Sequence, residues 1–412
     1  WYHACYKLQY YVYFSLVPCL LFQLPFEALT GIQNLAYAPC MVVLGLLLLA
    51  ACFGLVGQAV RRWFPRTTSA AYLLAVAAVV LGGQLYYLLV RPYIYEYAIL
   101  CGAALLMLGL WLWLSAANTP VEKRGALLVR LAFGSLFVAL VAGCRPQMEL
   151  FAFLAVPIFW QRYIGQKRLR SRAGVGEAAA FILPVVIVAA GLMWYNAARF
   201  GSPFDFGANY NLTGNDMTQR GFNAVRIGPA VFTSLFELPS WQGVFPFLRE
   251  TDVQTNAVIR TISEKFTGGM LAATPYLWVL ALPLLPAFRR CLHHRRAVAG
   301  IVYGGIAAMV VMTVVDCEMA GVLYRYLMDY SPVLLVGAAL CWFCAEGALS
   351  RRTAVGDATA AAALSALRVV MAAAVAYTAV YRFCTLFAME PWLQGMNPSL
   401  YHTVSRLVQF WM

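Results

Sequence analysis

Apolar stretches about as long as a membrane span recur along nearly the whole chain. A helix needs about 20 mostly apolar residues to cross a bilayer, and short polar connectors separate such stretches here. Of the 412 residues, 62% are hydrophobic and 11% charged, whereas soluble domains are about half apolar and a quarter charged. The sequence therefore predicts an all-α, polytopic transmembrane helical bundle. We expect about ten spans, at residues 38–60, 70–90, 97–116, 126–143, 148–164, 176–198, 270–288, 297–315, 327–345 and 366–388.

Basic residues cluster in every second connector between these stretches. The five clusters are Arg61-Arg62 with Arg66; Lys123-Arg124 with Arg130; Arg162 with Lys167, Arg168, Arg170 and Arg172; Arg289-Arg290 with Arg295-Arg296; and Arg351-Arg352 with Arg368. Because short loops rich in Lys and Arg stay on the cytoplasmic side during insertion, these connectors are predicted to be cytoplasmic. The net charge of +13 is then a signal of topology, and nucleic acid is excluded as a partner.

One connector, residues 199–269, is much longer than the others and falls on the predicted extracytoplasmic face. It is rich in aromatic residues, which argues against a disordered linker. We interpret residues 1–412 as a single transmembrane domain with this extracytoplasmic loop and an extracytoplasmic C-terminal tail at 389–412. The aromatic stretch from Tyr10 to Leu29 could be an eleventh span, but an interfacial or re-entrant helix suits it better. Trp1 follows no initiator Met or signal-type segment, so we expect the chain to begin within a longer protein.

Four arginines stand at the predicted outer ends of spans, where the positive-inside rule disfavours them: Arg91, Arg145, Arg199 and Arg325. A fifth, Arg382, lies inside the last predicted span. Arginine at membrane depth is costly and usually faces a partner or a wet cavity, and its planar fork suits phosphate. An anionic lipid headgroup is therefore the expected ligand. The alternative is that these arginines reach to the interface or pair structurally with Glu96, Glu149 and Asp329.

Carboxylates are the groups that would activate a sugar hydroxyl in a group-transfer reaction. Glu96, Asp205 and Asp316 are weak candidates on the predicted outer face, and no pattern singles out one of them. Asp316 and Glu318, two positions apart, could instead hold a divalent cation, with an ordinary hydrated loop as the alternative. The sequence contains no phosphate loop, dinucleotide-binding turn or zinc-type histidine pair. We interpret the eleven Cys as small buried apolar residues.

Several short motifs together resemble bacterial membrane proteins grouped with the GT-C glycosyltransferases. They are Tyr10-Tyr11-Val12-Tyr13-Phe14 followed by Pro18 and Leu24-Pro25-Phe26; Arg145-Pro146-Gln147; Tyr195-Asn196 with Arg199-Phe200-Gly201-Ser202-Pro203-Phe204-Asp205-Phe206-Gly207; Arg325-Tyr326-Leu327-Met328-Asp329 with Pro332; and Asn397-Pro398-Ser399-Leu400-Tyr401. The resemblance implies a multi-span enzyme that takes a sugar from a polyprenyl-phosphate donor. It also implies a catalytic Asp or Glu in a first outer loop, which would precede Trp1.

These observations predict a glycosyltransferase of the bacterial cytoplasmic (inner) membrane with an extracytoplasmic active face. The acceptor would be a cell-envelope glycan, lipid or protein, and transfer would invert the anomeric carbon. A transporter or flippase of lipid-linked sugars and a non-catalytic subunit of an envelope-glycan assembly are the alternatives. The predicted substrate-binding residues are Arg91, Arg145, Arg199, Asp205, Tyr324, Arg325 and Asp329.

Overall fold

The computed structural model describes residues 3–12, 16–212, 221–253, 262–389 and 392–410. Trp1, where the chain was predicted to enter from a longer protein, lies outside the described residues, as do Tyr13 and Phe14 of the first motif. Parts of the 199–269 connector and of the 389–412 tail also lie outside them.

Helices dominate the described residues, as the apolar stretches predict. Seven of them are long and apolar enough to cross a membrane, which is the architecture of a multi-pass helical membrane protein. Each overlaps one of the predicted spans, and most bounds agree within about four residues, but Ser331–Thr353 ends eight residues after the predicted 327–345 and Ala358–Ala388 begins eight residues before the predicted 366–388. They are Tyr37–Trp63, Ile94–Asn118, Arg124–Gly143, Arg172–Phe200, Arg296–Met319, Ser331–Thr353 and Ala358–Ala388.

The other three predicted spans fall on interrupted helices. Gly83, with an extended backbone, separates two helices at 70–90. Prolines, which lack the N–H that continues a helix, begin or interrupt segments of the other two. The segments are Ser69–Gly82 and Leu85–Val90; Pro146–Leu154 (3₁₀), Ala155–Phe159 and Trp160–Gly165 (π); and Met270–Ala273, Pro275–Leu284 (3₁₀) and Pro286–His293. The number of membrane crossings therefore stays a prediction.

The chain folds into two compact units, each built from two stretches of sequence. Unit 1 comprises Trp1–Gln58 and Pro92–Phe222, and unit 2 comprises Ala59–Arg91 and Asn223–Met412.

In unit 1, the helix Ile94–Asn118 is buried along most of its length. At one end, the Tyr97 hydroxyl donates to Pro18 O and to Gln23 Oε1, both at 3.0 Å. Nearer its other end, the indole of Trp113 donates to Ser135 Oγ at 3.1 Å. These bonds satisfy polar groups that would otherwise be costly away from water.

The remaining elements of unit 1 are short. The predicted interfacial stretch at 10–29 is only partly helical, because its first residues form a strand of an antiparallel hairpin. The elements are the strands His3–Tyr6 and Gln9–Val12, the helical segments Leu16–Pro18, Cys19–Gln23 (π) and Leu24–Thr30, and the 3₁₀ turns Val141–Gly143, Arg168–Arg170 and Ala208–Tyr210.

In unit 2, the helix Ser331–Thr353 is the most enclosed, with Ser331 through Cys344 all buried. It packs against Ser69–Gly82, Arg296–Met319 and Ala358–Ala388. The shorter elements are Ala224–Arg226 (3₁₀), Ile227–Val231, Phe232–Phe236 (π), Tyr324–Asp329 (3₁₀), Trp392–Met396, Pro398–Val408, and the strands Ser240–Trp241, Leu248–Arg249, Ile262–Ser263 and Gly321–Val322.

Candidate functional site

Unit 2 contains a buried arginine whose donors are all used. Arg382 lies near the C-terminal end of Ala358–Ala388 and is 4% exposed. A guanidinium has five N–H groups and keeps its charge in proteins. The five acceptors are Leu81 O (3.1 Å), Gly82 O (2.8 Å), Thr274 Oγ1 (3.1 Å), Tyr86 OH (2.9 Å) and Tyr324 OH (3.2 Å). All five are neutral oxygens, and no carboxylate of the described residues lies within ion-pair distance. We call this group the Arg382 cluster.

Two of these acceptors end the helix Ser69–Gly82. The last carbonyls of a helix have no partner within it, and they carry the negative end of the helix dipole. Arg382, from a helix distant in sequence, donates to Leu81 O and Gly82 O. The guanidinium therefore caps the helix at the point where the predicted 70–90 span is interrupted.

The two tyrosine hydroxyls form a defined chain of hydrogen bonds. Tyr86 donates to Gln84 Oε1 at 2.8 Å, so its oxygen is left to accept from Arg382. The Tyr86 and Tyr324 hydroxyls are 2.9 Å apart, and the proton between them must then belong to Tyr324. Both phenol oxygens consequently accept from Arg382 Nη1, and the cluster has one consistent arrangement of protons.

Threonine and tyrosine hydroxyls extend the Arg382 cluster. Tyr381 donates to Thr267 Oγ1 at 3.2 Å, and Thr267 Oγ1 lies 3.5 Å from both the Tyr324 hydroxyl and Thr385 Oγ1. The next residue, Gly268, has φ +150°, and a Cβ there would lie 2.8 Å from the Tyr381 hydroxyl. Only glycine lets the chain pass this close to the tyrosine.

A carboxylate, Glu264, stands beside the Arg382 cluster. It forms an ion pair with Arg325 Nη1 and accepts from the Arg325 backbone N–H at 3.3 Å. The Tyr87 hydroxyl donates to the same carboxylate at 3.4 Å. Arg325 is thus held by a partner from the long connector. The Arg91 guanidinium lies 4.9 Å from the centroid of the Tyr87 ring, and the centroids of the Tyr87 and Tyr324 rings are 5.1 Å apart in a T-shaped arrangement. We call Glu264, Arg325, Tyr87 and Arg91 the Glu264 group.

A short parallel strand pair positions Glu264. Ile262–Ser263 pairs with Gly321–Val322, and the Glu264 N–H donates to Val322 O at 3.0 Å. Gly321 has φ +142°, and a Cβ there would lie 2.0 Å from Ile262 O. The pairing therefore requires glycine at 321, and it places the connector beside Tyr324 and Arg325.

A narrow cleft reaches the Tyr86 and Tyr87 side chains. It has room for about one water molecule, and it is lined by Tyr86, Tyr87, Val90, Arg91, Thr385, Leu386 and Met389. The cleft joins residues of the Arg382 cluster to residues of the Glu264 group. Residues of both therefore line one small space.

Unit 1 holds two predicted site residues that are buried. Arg145 is 6% exposed and directly precedes Pro146, which favours the extended backbone that Arg145 adopts. A Cβ on Gly102 would lie 3.5 Å from the Arg145 Cβ, so the arginine packs closely on the helix Ile94–Asn118. Glu96 is 3% exposed in the first turn of the same helix.

Arg199 and Asp205, also in unit 1, are engaged in local contacts. Arg199 donates to Val12 O at 2.9 Å and to Asn196 Oδ1 at 2.8 Å. Asp205 accepts from the Gly207 N–H at 2.8 Å and from the Tyr210 hydroxyl at 2.9 Å. The hydrogen bond from Tyr210 to the Asp205 carboxylate raises the pKa of that tyrosine. Both residues therefore organise the Arg199–Gly207 motif and the N-terminal hairpin.

Asp316 and Asp329 are buried in unit 2, and Asp316 lines a small cavity with Thr313 and Tyr330. Glu318 accepts from the Asn223 N–H at 2.9 Å and lies 3.6 Å from Arg226 Nη1. No cluster of three or more His, Cys, Asp and Glu side chains suited to a metal occurs within the described ranges. Of the two carboxylates predicted to hold a cation, Glu318 is thus already paired with an arginine.

The structure brings together Arg91, Tyr324 and Arg325 of the predicted site. The sequence analysis missed Glu264, Tyr86, Tyr87, Thr267 and Thr274. The sequence could have indicated Arg382 as a site residue, because a charged residue within a predicted span commonly marks a functional site. Glu264 carried none, since its partner lies 61 residues away along the chain.

Comparisons with known proteins found no match: no family model, no curated protein and no solved structure is similar to this chain.

Proposed function

We propose that the chain is a membrane glycosyltransferase that takes a sugar from a polyprenyl-phosphate donor and transfers it to an extracytoplasmic acceptor in the envelope of a bacterium. The sequence motifs support the class of reaction. The observation that carries the proposal within the structure is the grouping of guanidinium groups around Tyr87 and Tyr324. Three arginines, Arg91, Arg325 and Arg382, stand there with Glu264.

An anionic ligand suits this arrangement for an electrostatic reason. Guanidinium groups in a partly desolvated environment attract an anion more strongly than they would in water, and their planar donors match phosphate oxygens. Arg382 is already saturated by neutral acceptors, so its role is to fix the helix end and the tyrosines. Arg325 and Arg91 are the groups that would contact the donor phosphate.

In the proposed reaction the bond between the anomeric carbon and the phosphate oxygen breaks as the acceptor oxygen attacks from the opposite face. The configuration inverts, the phosphate leaves with the bonding electrons, and a carboxylate takes the acceptor proton. Arginine stabilises the charge that develops on the departing phosphate. Glu96, Asp205 and Asp316 are the proposed candidates for this base among the residues of the chain. Arg145 and Arg199 stay proposed substrate-binding residues on the resemblance alone.

A transporter of lipid-linked sugars is the second candidate, and the interrupted helices favour it. Transporters commonly build their substrate sites from discontinuous helices. The segment Ser69–Gly82 ends at a guanidinium from another helix, as described above. Both candidates share a lipid-linked anionic substrate, and they differ in whether a glycosidic bond is made.

The deciding experiment uses the full-length protein in proteoliposomes with a labelled polyprenyl-phosphate sugar. Arg325→Gln with Glu264→Gln removes the ion pair without leaving one charge unpartnered. The control is Arg226→Gln with Glu318→Gln, a second ion pair of unit 2 outside the Glu264 group. We expect transfer to fall by about 10²-fold or more in the first variant, as when a transition-state donor is lost, and to change little in the control.

Equal rates in the two double variants would contradict the assignment of Arg325 to the donor phosphate. Movement of the labelled lipid across the bilayer with no glycosylated product would show that the chain is a transporter and not a glycosyltransferase.

A further inference from the structure

A large cavity opens at the other end of the helix Ser331–Thr353 from Tyr324, within unit 2. Its volume is about 640 Å³, in the range of small-molecule sites. Segment 63–67, Arg295 and the last turns of Ser331–Thr353 form its walls. We call it the basic-end cavity, because the arginines in its lining, Arg66, Arg295 and Arg351, belong to three of the five basic clusters.

One wall of the basic-end cavity is aromatic. The rings of Phe64 and Phe343 lie 5.7 Å apart. The Arg295 guanidinium is 4.7 Å from the centroid of the Phe64 ring and donates to Trp63 O. An arginine stacked on an aromatic ring is pre-organised and keeps donors free for a planar anion. Apolar surface and a fixed cation therefore meet in one cavity.

The cations of the basic-end cavity are not neutralised. Arg66, Arg295 and Arg351 line it, and no carboxylate of the described residues lies within ion-pair distance of any of the three. The lining carboxylate, Glu346, is paired with Arg368, with Nη2 2.6 Å from Oε1. The simpler explanation for a basic cluster is a set of arginines solvated on a loop. That explanation does not account for the cavity with apolar walls beside them.

A second, more open depression of about 750 Å³ shares Arg295 and Arg351 with the basic-end cavity. It adds Arg290 and His294 to the lining. Arg352, also in this lining, is paired with Asp357 at 2.6 Å. The positive surface thus continues outward from the cavity.

We propose that the basic-end cavity binds an anionic phospholipid. The headgroup phosphate lies against Arg66, Arg295 and Arg351, and the first part of an acyl chain lies along Phe343 and Val355. A free phosphate ion would occupy a small part of this volume and leave the aromatic wall unused. Basic pockets between membrane helices are a recurrent form of headgroup site, and both parts of the lipid find matching surface here.

The test measures lipid binding to the purified full-length protein by native mass spectrometry and by titration with phosphatidylglycerol, phosphatidylcholine and inorganic phosphate. Arg66→Gln with Arg351→Gln removes two lining cations. The matched control is Arg289→Gln with Arg296→Gln. It removes the same charge from the connector that carries Arg295, at two positions outside the lining of both cavities. At about 1 kcal/mol per arginine near an anionic headgroup, the first variant should bind phosphatidylglycerol about 25-fold more weakly. The control should change by less than about fivefold.

A second variant separates the cavity from its charge. A Cβ on Gly347 would lie 3.9 Å from Arg351 Nη1, an ordinary contact, so Gly347→Leu should fold and narrow the cavity while every arginine remains. Loss of phosphatidylglycerol binding in Gly347→Leu supports the site. The proposal is overturned if Gly347→Leu binds like the unaltered protein, if the two arginine variants weaken equally, or if inorganic phosphate competes at lipid-like concentrations.

Discussion

Replacing Arg382 with methionine tests whether one buried guanidinium holds the interrupted segment in place. The substitution keeps most of the side-chain volume and removes all five hydrogen bonds of the Arg382 cluster. The hydroxyls of Tyr86 and Tyr324 are 2.9 Å apart and retain each other as partners. Leu81 O loses its donor from Arg382, and Gly82 O keeps only the Thr274 hydroxyl, which donates to it at 3.5 Å.

The expected cost follows from these partners. The Leu81 carbonyl without its donor costs about 1–3 kcal/mol, and the weaker cap on Gly82 O adds less. Part of this is offset because methionine avoids the several kcal/mol of desolvation that a buried guanidinium carries. We expect Arg382→Met to lower the free energy of unfolding by about 2 kcal/mol, because the lost capping bonds outweigh the desolvation that is avoided. Arg382→Lys keeps the charge with three donors instead of five and should cost about 1–2 kcal/mol.

Reversible unfolding of the full-length protein in mixed micelles measures both variants. Arg406→Met is the control, because Arg406 is exposed in Pro398–Val408 and its loss should change stability by less than about 0.5 kcal/mol. Tyr324→Phe combined with Arg382→Met should be non-additive by about 1 kcal/mol, since both changes remove the same hydrogen bond. An Arg382→Met protein as stable as the Arg406→Met control would refute the capping role.

Two further predictions concern the long connector. Gly321→Ala should lower the free energy of unfolding by more than about 2 kcal/mol, because φ +142° and a Cβ 2.0 Å from Ile262 O oppose any side chain. The control is Gly243→Ala, because a Cβ there meets nothing within 4 Å. It should be neutral or slightly stabilising in the same unfolding assay. Burial raises the pKa of Glu237 above its ordinary value of 4.5, with hydrogen bonds from Thr251 and a second threonine opposing the shift. Its contribution to stability is therefore present below that value and lost as pH rises through the folded pKa, so Glu237→Gln should flatten the fall in stability above about pH 4.5; an unchanged pH profile would contradict this.

The seven long helices could be predicted because hydropathy is summed along the chain, and each apolar stretch satisfies its backbone internally. The interruption at Gly83 could not, since a window of about 20 residues averages over a single extended residue. The prediction of a continuous span over 70–90 ignored the possibility that a distant guanidinium would cap a helix end there.

The candidate site divides in the same way. Arg91 and Arg325 stood out because arginines at the ends of apolar stretches break a local rule of charge placement. Glu264 did not stand out, because nothing near residue 264 indicates that a strand pair with Gly321–Val322 brings it to Arg325. The pairing of such arginines with Glu96, Glu149 or Asp329 stays a prediction, whereas an ion pair between Arg325 and Glu264 was not predicted.

The sequence by itself determined that the chain is helical and membrane-spanning in character. Long apolar stretches are costly to expose to water, and within lipid a helix satisfies their backbone groups internally. Only the tertiary structure decided which polar groups are partners. A buried guanidinium is stable only where several oxygens converge on it, and for Arg382 those oxygens come from residues 81–86, 274 and 324.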